Sequence, residues 1–483
     1  MAPALLCVVL LTAAAPALTG PLTLTFEELD ALVQARAEEA GLPGIAYGVV
    51  QDGAVVHTAA FGVAGPDGRP MTTTTVLNTA SVGKTFTALA VAQLVAAGDL
   101  ELDRPVQTYV PSFDLADHEA AAAITVRHLL EHTSGLSTVD GNHPWLLDTG
   151  ATLDGLLTRI ADLRPVRAPG SGVEYCNVNY VLLGAVVEAV TGQGYFAYLK
   201  EEVLGPIGMT STFRTAADAR AAGMDVADGY RFVFGVAREA DVPMPLGSEA
   251  AGMQWTTIED LAAYAAVFAN HGEVGGRSIV TGSAADADVQ YDIDWQPTTW
   301  LPDDGFGHAG AWITYSAGLE VLPGHEFAVV MLANANPSQA FPATSTFDIT
   351  FDTMRAANGW PPVRDRHGVA WFYGWVDAAL VAGAAVLVVR WVRLGARRRR
   401  WAERGRAARR GSVIAWTMLD GVLPAAALIG VPYVATGLTD PREAWARLWT
   451  AVPDLTAALL ALSVAGLALG IAGLVTSRRD ERA

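Results

Sequence analysis

A serine and a lysine three residues apart, in Ser81-Val82-Gly83-Lys84, are spaced for nucleophilic chemistry. Residues three apart are neighbours on a helical surface, so the amine of Lys84 can reach the hydroxyl of Ser81. Thr79-Ala80 before the pair and the apolar run Thr85 to Val95 after it predict a helix start leading into a buried helix. Such a start offers unpaired backbone N–H groups and partial positive charge. A hydroxyl held there beside an amine is arranged to attack a carbonyl carbon. A lysine amine ordinarily titrates near ~10.4 and a phenol near ~10, so either takes a proton at neutral pH only with help from desolvation and nearby dipoles. The tetrapeptide alone is weak evidence, because S-x-x-K arises about once by chance at this length and average composition. This chain, however, has only two lysines, Lys84 and Lys200. The bland alternative is a surface lysine in the first turn of a buried helix.

The elements that position this pair belong to a chain of two unlike parts. At 483 residues and 51% hydrophobic content it exceeds one ordinary domain. Residues 1–368 hold 17 Lys and Arg against 42 Asp and Glu, whereas residues 369–483 hold 15 against 8. The acidic front repels phosphates, which excludes a nucleic-acid partner. The apolar run Ala4–Ala17 is too short to span a bilayer and closes on Ala15-Pro16-Ala17, so residues 1–17 read as a signal peptide. Cys7 lies inside that leader. Cys176 is then the single cysteine of a mature chain, which makes an intramolecular disulfide impossible.

In the tail, residues 369–483, three apolar stretches at about 369–392, 412–436 and 452–475 are each long enough to cross ~30 Å of hydrocarbon as a helix. The loop after the first carries Arg393, Arg397 to Arg400, Arg404, Arg406, Arg409 and Arg410, and the terminus carries Arg478, Arg479 and Arg482. Arginine-rich loops stay in the cytoplasm, so both face inward, as an odd number of crossings after an exported front requires. Trp371, Trp375, Trp391, Trp401, Trp445 and Trp449 stand where an interfacial belt would. Lipid contact by the arginines is compatible with this topology. Asp377 and Asp420 fall near the ends of their stretches and read as interfacial. The expectation is a multi-pass cell-membrane protein with an extracytoplasmic domain at residues 22–360 and a cytoplasmic C-terminus.

That domain reads as α/β in the α+β sense. Phe26–Ala40 has the apolar spacing of an amphipathic helix. Gly44–Val50 and Ala54–Ala59 flank the turn residues Gln51-Asp52-Gly53, a hairpin signal. Trp312–Val321 and Phe327–Ala333 flank Pro323-Gly324-His325-Glu326 as a second hairpin, and Ser345–Ala357 closes the unit as a helix. Hairpins at both ends with helices between predict one antiparallel sheet, flanked by helices, assembled from the two termini around a mainly helical subdomain.

Inside that insertion Tyr175-Cys176-Asn177 precedes the apolar helix Tyr180–Val190, and His308-Ala309-Gly310 precedes the second hairpin. With Ser81 and Lys84 these motifs resemble the serine β-lactamase and penicillin-binding-protein family, in the branch of class C β-lactamases, D-Ala-D-Ala carboxypeptidases and related esterases. The likeness extends over most of residues 26–357 through Ile124–Leu136 with His132-Thr133-Ser134-Gly135, Leu204–Met209 and Ala251–Leu261. It does not cover the apolar tail. The resemblance implies Ser81 as the acylated nucleophile, Lys84 and Tyr175 sharing the proton work, and Asn177 holding the substrate amide or the lysine. It places His308, Gly310 and Ala311 along the cleft, with the backbone N–H groups of Ser81 and Ala311 as an oxyanion hole, and it implies no metal or cofactor.

Several departures bear on substrate. Lactamases of this branch carry lysine where His308 stands, and histidine weakens the pull on a β-lactam carboxylate at alkaline pH. Cys176 replaces a serine and reads as a buried filler, and Ala309 lacks a hydroxyl often found there. His132, Thr133 and Ser134 read as loop-fixing residues, and Asp103 as a cap or turn. The implied partner is a small-molecule or peptide substrate: a cell-wall peptide ending in D-amino acids first, an ester next, a β-lactam third. A different class remains open, a non-catalytic penicillin-binding-like sensor signalling through the spans.

Overall fold

The computed structural model describes residues 22–479 apart from 143, 243, 271, 275–276, 280–295, 298–304, 340–343, 362–367 and 394–452. The leader and the expected second span lie outside the described residues. A helix, α1, runs over Phe26–Ala40 because Thr25 caps it in a reciprocal capping box with Glu28, and Gly41 at φ +70° ends it. The chain then folds back on itself as two strands, β1 (Gly44–Gln51) and β2 (Ala54–Gly62). Asp52 and Gly53 both have positive φ, the turn geometry that Asp-Gly favours between strands.

Four later strands complete the sheet: β3 (Gln296–Pro297), β4 (Phe306–Ala311), β5 (Ser316–Leu322) and β6 (Phe327–Ala333). Their order is β2-β1-β6-β5-β4-β3 and every pairing is antiparallel. The N-terminal hairpin therefore lies beside the last strand, with Ile45 opposite Ala333 and Val50 opposite Ala328. The expected sheet built from both termini is the sheet observed.

Alternation along the strands sorts side chains into two cores. Ile45, Tyr47, Val49, Val329 and Met331 face α1 and the closing helix Thr346–Ala357, burying Leu29, Val33, Ile349 and Met354. Ala46, Val50, Ala328, Val330 and Leu332 face the other way, with the helix Ile258–Ala269 and the helical subdomain. The central strands are apolar at nearly every position because both of their faces are covered. The closing helix starts at a capping box between Ser345 and Asp348, one residue after the expected boundary.

Within the insertion, the helices Lys84–Ala97 and Asn177–Thr191 pack together and supply much of this second core. Two long apolar helices follow the sheet domain, Val369–Val392 and Pro453–Arg479. Val369–Val392 has the length and apolarity to cross a membrane; the other helix passing that test, Ala80–Ala97, is mostly buried inside the domain.

Candidate active site

The turn carrying Ser81 is shaped before any side chain acts. The helix start expected at Thr79-Ala80 is a 3-10 turn over Ala80–Gly83, and the α-helix begins at Lys84. In a 3-10 turn residues i and i+3 eclipse, which points Ser81 and Lys84 at one another. Ala80 sits at φ +45°, a conformation that alanine rarely takes. It is held by its N–H donating to Asn78 Oδ1 at 2.8 Å, and by its carbonyl accepting from the Met253 N–H at 3.0 Å.

The segment Ala251–Gln254 wraps this turn. Thr79 N–H donates to Gln254 O at 2.8 Å and Asn78 Nδ2 to Met253 O at 2.7 Å. A Cβ on Gly252 would lie 2.2 Å from Ala80 O, so only glycine allows the approach.

Lys84 is fully buried, at 0% exposure, yet its amine is well supplied with partners. Nζ donates to Ser81 Oγ at 3.1 Å and to Ala251 O at 2.5 Å, and lies 5.1 Å from the Tyr175 ring centre and 5.6 Å from that of Tyr180. The Tyr175 hydroxyl also donates to Ser81 Oγ, at 3.0 Å. One oxygen thus meets an amine and a phenol that lie 3 and 94 residues away along the chain.

Tyr175 sits in the loop immediately before the helix that starts at Asn177, outside any helix or strand. The Asn177 amide donates to Gly141 O at 2.8 Å, while Thr138 donates through its Oγ1 to Tyr175 O and through its backbone N–H to Glu174, both at 2.9 Å. These bonds lace the 137–142 loop to the tyrosine segment. Cys176 is buried, which pushes its thiol up to about 12 and leaves it unreactive near neutral pH.

The third side of the site is strand β4, packed directly on the serine turn. A Cβ on Gly310 would meet Thr79 O at 2.5 Å and Val82 Cγ2 at 3.3 Å. The bare glycine brings the strand close and sets the next residue, Ala311, beside the serine turn. His308 is buried on this strand, with Nδ1 2.9 Å from Ala309 O. A carbonyl only accepts, so Nδ1 carries a proton in this contact.

The structure therefore brings Ser81, Lys84 and Tyr175 to one point and sets β4, with His308, Gly310 and Ala311, against the same turn. Sequence reasoning missed the Ala251 carbonyl that receives Lys84, while its reading of His132 as a loop-fixing residue is borne out by the Cys176 N–H that donates to His132 Nδ1 at 3.1 Å. Among the described residues no cluster of three or more His, Cys, Asp or Glu is placed to hold a metal ion.

Comparison with known proteins follows the same outline. The beta-lactamase family profile matches residues 29–350 and ends before the apolar helices. Penicillin-binding protein 4 of Amycolatopsis lactamdurans is 29% identical over 337 residues, which span 65% of this chain and 86% of that protein. Esterase EstB of Burkholderia gladioli is 35% identical over 243 residues, 46% of this chain and 60% of the esterase. The octameric penicillin-binding protein homologue from Pyrococcus abyssi has a TM-score of 0.60 at 25% identity, covering 71% of this chain and 79% of that one. A profile running from α1 to the closing helix, over a buried lysine and a phenol on one serine, makes this chain a member of the beta-lactamase family.

Proposed function

We propose that the chain is a serine hydrolase working through an acyl-enzyme on Ser81, with D-Ala-D-Ala-type peptides or esters as its acyl donors. The observation that carries this reading is the convergence of Lys84 Nζ and the Tyr175 hydroxyl on Ser81 Oγ at 3.1 and 3.0 Å. In the first step Oγ bonds to the substrate carbonyl carbon while its proton passes to the amine or phenoxide beside it. The backbone N–H groups of Ser81 and Ala311 receive the developing oxyanion, a kind of contact worth about 3–4 kcal/mol per donor. Tyr175 returns a proton to the departing amine or alkoxide, and a water molecule then releases the acyl group by the reverse path. Asn177, held by Gly141, orients the substrate amide.

Two observations favour ester substrates as a second reading. Histidine stands at 308 where lactamases of the resembled branch carry a lysine that would attract a substrate carboxylate, and Ala309 lacks the hydroxyl often found at its position. Hydrolysis of a β-lactam is the third activity to assay, and ligand sensing without turnover is the competing class.

The domain is further proposed to be tethered outside the cell, exported by residues 1–17 and anchored by spans at about 369–392, 412–436 and 452–475. The helix Val369–Val392, 24 residues long and mostly exposed beyond its first turns, supports this, as do the arginines that follow it.

Labelling by a fluorophosphonate or a labelled penicillin, compared with Ser81→Ala, tests the acyl-enzyme. A panel of D-Ala-D-Ala peptides, p-nitrophenyl esters and a chromogenic cephalosporin tests the substrate. Binding without a covalent adduct at Ser81 would overturn the hydrolase reading in favour of the sensor.

A further inference from the structure

We propose that His132 is the positioning residue that aims the Tyr175 phenol at Ser81, an inference that rests on the hydrolase reading above. Tyr175 carries its phenol from a loop, so nothing in regular secondary structure fixes its direction. His132 touches three consecutive residues there. Its carbonyl accepts from the Glu174 N–H at 2.8 Å, its ring centre lies 4.5 Å from that of Tyr175 at a tilt of 39°, and its Nδ1 accepts from the Cys176 N–H at 3.1 Å. A segment gripped before, on and after the tyrosine has little freedom to swing the hydroxyl off the serine.

The protonation state of the ring follows from its partners. A backbone N–H can only donate, so Nδ1 carries no proton, and the neutral ring keeps its proton on Nε2. Asn179 Nδ2 reaches the same Nδ1 at 3.0 Å. The Asn179 amide cannot turn round without losing the Ser134 hydroxyl, which donates to its Oδ1 at 2.7 Å. The ring is therefore locked in orientation and tautomer by groups that do not titrate near neutral pH.

The backbone shows the same demand. His132 is buried at φ +54°, a left-handed conformation that a non-glycine residue adopts only when its surroundings hold it there. Around it Thr133 N–H donates to His128 O and Gly170 N–H to Thr133 O, both at 2.8 Å, which hold the strained turn in place.

The test is a double-mutant cycle on the full-length chain in mild detergent, with turnover of a p-nitrophenyl ester counted per Ser81 titrated to completion by fluorophosphonate. A displacement near 1 Å lowers turnover about a hundredfold, so His132→Ala is expected to lower kcat by that order with KM little changed. His132→Asn keeps an acceptor and tolerates the left-handed backbone, and is expected to recover at least ~10-fold of the loss. In a Tyr175→Phe background, where no phenol remains to aim, His132→Ala is expected to alter kcat less than about twofold.

An undiminished effect of His132→Ala in that background, or normal per-site turnover in the single variant, overturns the assignment while the hydrolase reading stands. Should His132→Ala fail to fold, the same cycle is run with His132→Asn and His132→Gln. No Ser81-dependent turnover in the parent chain overturns the hydrolase reading and this inference with it.

Discussion

Replacing Glu320 with glutamine should make the protein less sensitive to rising pH, and the reason lies in strand β5. Glu320 is wholly buried, at 0% exposure, and neither carboxylate oxygen has a hydrogen-bond partner among the described residues. Opposite it on β4 is Gly307, where a Cβ would come within 2.3 Å of the carboxylate. Burial without a partner raises the carboxyl well above the ordinary range, so the native state keeps the proton that the unfolded chain gives up. An unfolded glutamate titrates near ~4.3. Above that pH the folded chain holds one proton more than the unfolded chain. The associated stability is complete below the unfolded value and is lost as pH rises toward the folded one.

The slope cannot exceed about 1.4 kcal/mol per pH unit, and it acts only between the unfolded and folded titrations of this one carboxyl. Glu320→Gln removes that slope, although its buried amide adds a pH-independent loss of its own. Urea unfolding of the full chain in detergent, followed by tryptophan fluorescence at pH 5, 6 and 7, measures the difference. The stability of the variant relative to the parent should rise with pH, by no more than about 1.4 kcal/mol per unit. Parallel pH profiles for the two proteins would refute the reasoning, because they would mean that Glu320 titrates alike when folded and unfolded.

Lys84→Ala and Tyr175→Phe should each lower kcat/KM at least about a hundredfold in the substrate panel, and near-normal rates in both would reject the proton path through them. Gly310→Ala puts a methyl group 2.5 Å from Thr79 O. It should push β4 off the serine turn and reduce kcat/KM by about tenfold or more, and an unchanged rate would show that the strand does not set the oxyanion site. A cysteine introduced among the arginines of residues 393–410 should react with an impermeant maleimide only after cells are opened, and labelling of intact cells would overturn the proposed topology.

How much of this was legible in the sequence depended on how local the signal was. Asp52-Gly53 between two apolar runs marked the first hairpin, and the turn formed with both residues at positive φ. Ser345 three residues before Asp348 marked the closing helix through its cap. The Ser81 and Lys84 pair was visible because a single turn holds both. Tyr175 and His308 were visible only through family resemblance, since no local rule brings a residue 94 positions away to a serine.

The loop-fixing reading of His132 held, since it accepts from the Glu174 and Cys176 N–H groups, but its contact with Tyr175, 43 positions later in the chain, and its strained φ leave no mark on residue type. Ala251 acts through a carbonyl that any residue carries, so no sequence pattern could have shown it. Glu320 did leave a trace, a lone charge in the apolar strand Ser316-Ala317-Gly318-Leu319-Glu320-Val321-Leu322, and a strand buried on both faces makes such a charge conspicuous.

The pairing of β1 with β6 has a consequence for biogenesis. A chain made from its N-terminus must leave Ile45 to Val50 without a neighbour on one side until residues 328–333 have been synthesised. Long-range pairing of this kind is slow and exposes an adhesive ribbon in the meantime. Ser81, Tyr175 and His308 all lie within the loop that this pairing closes, so the proposed site is complete only in a chain long enough to form it.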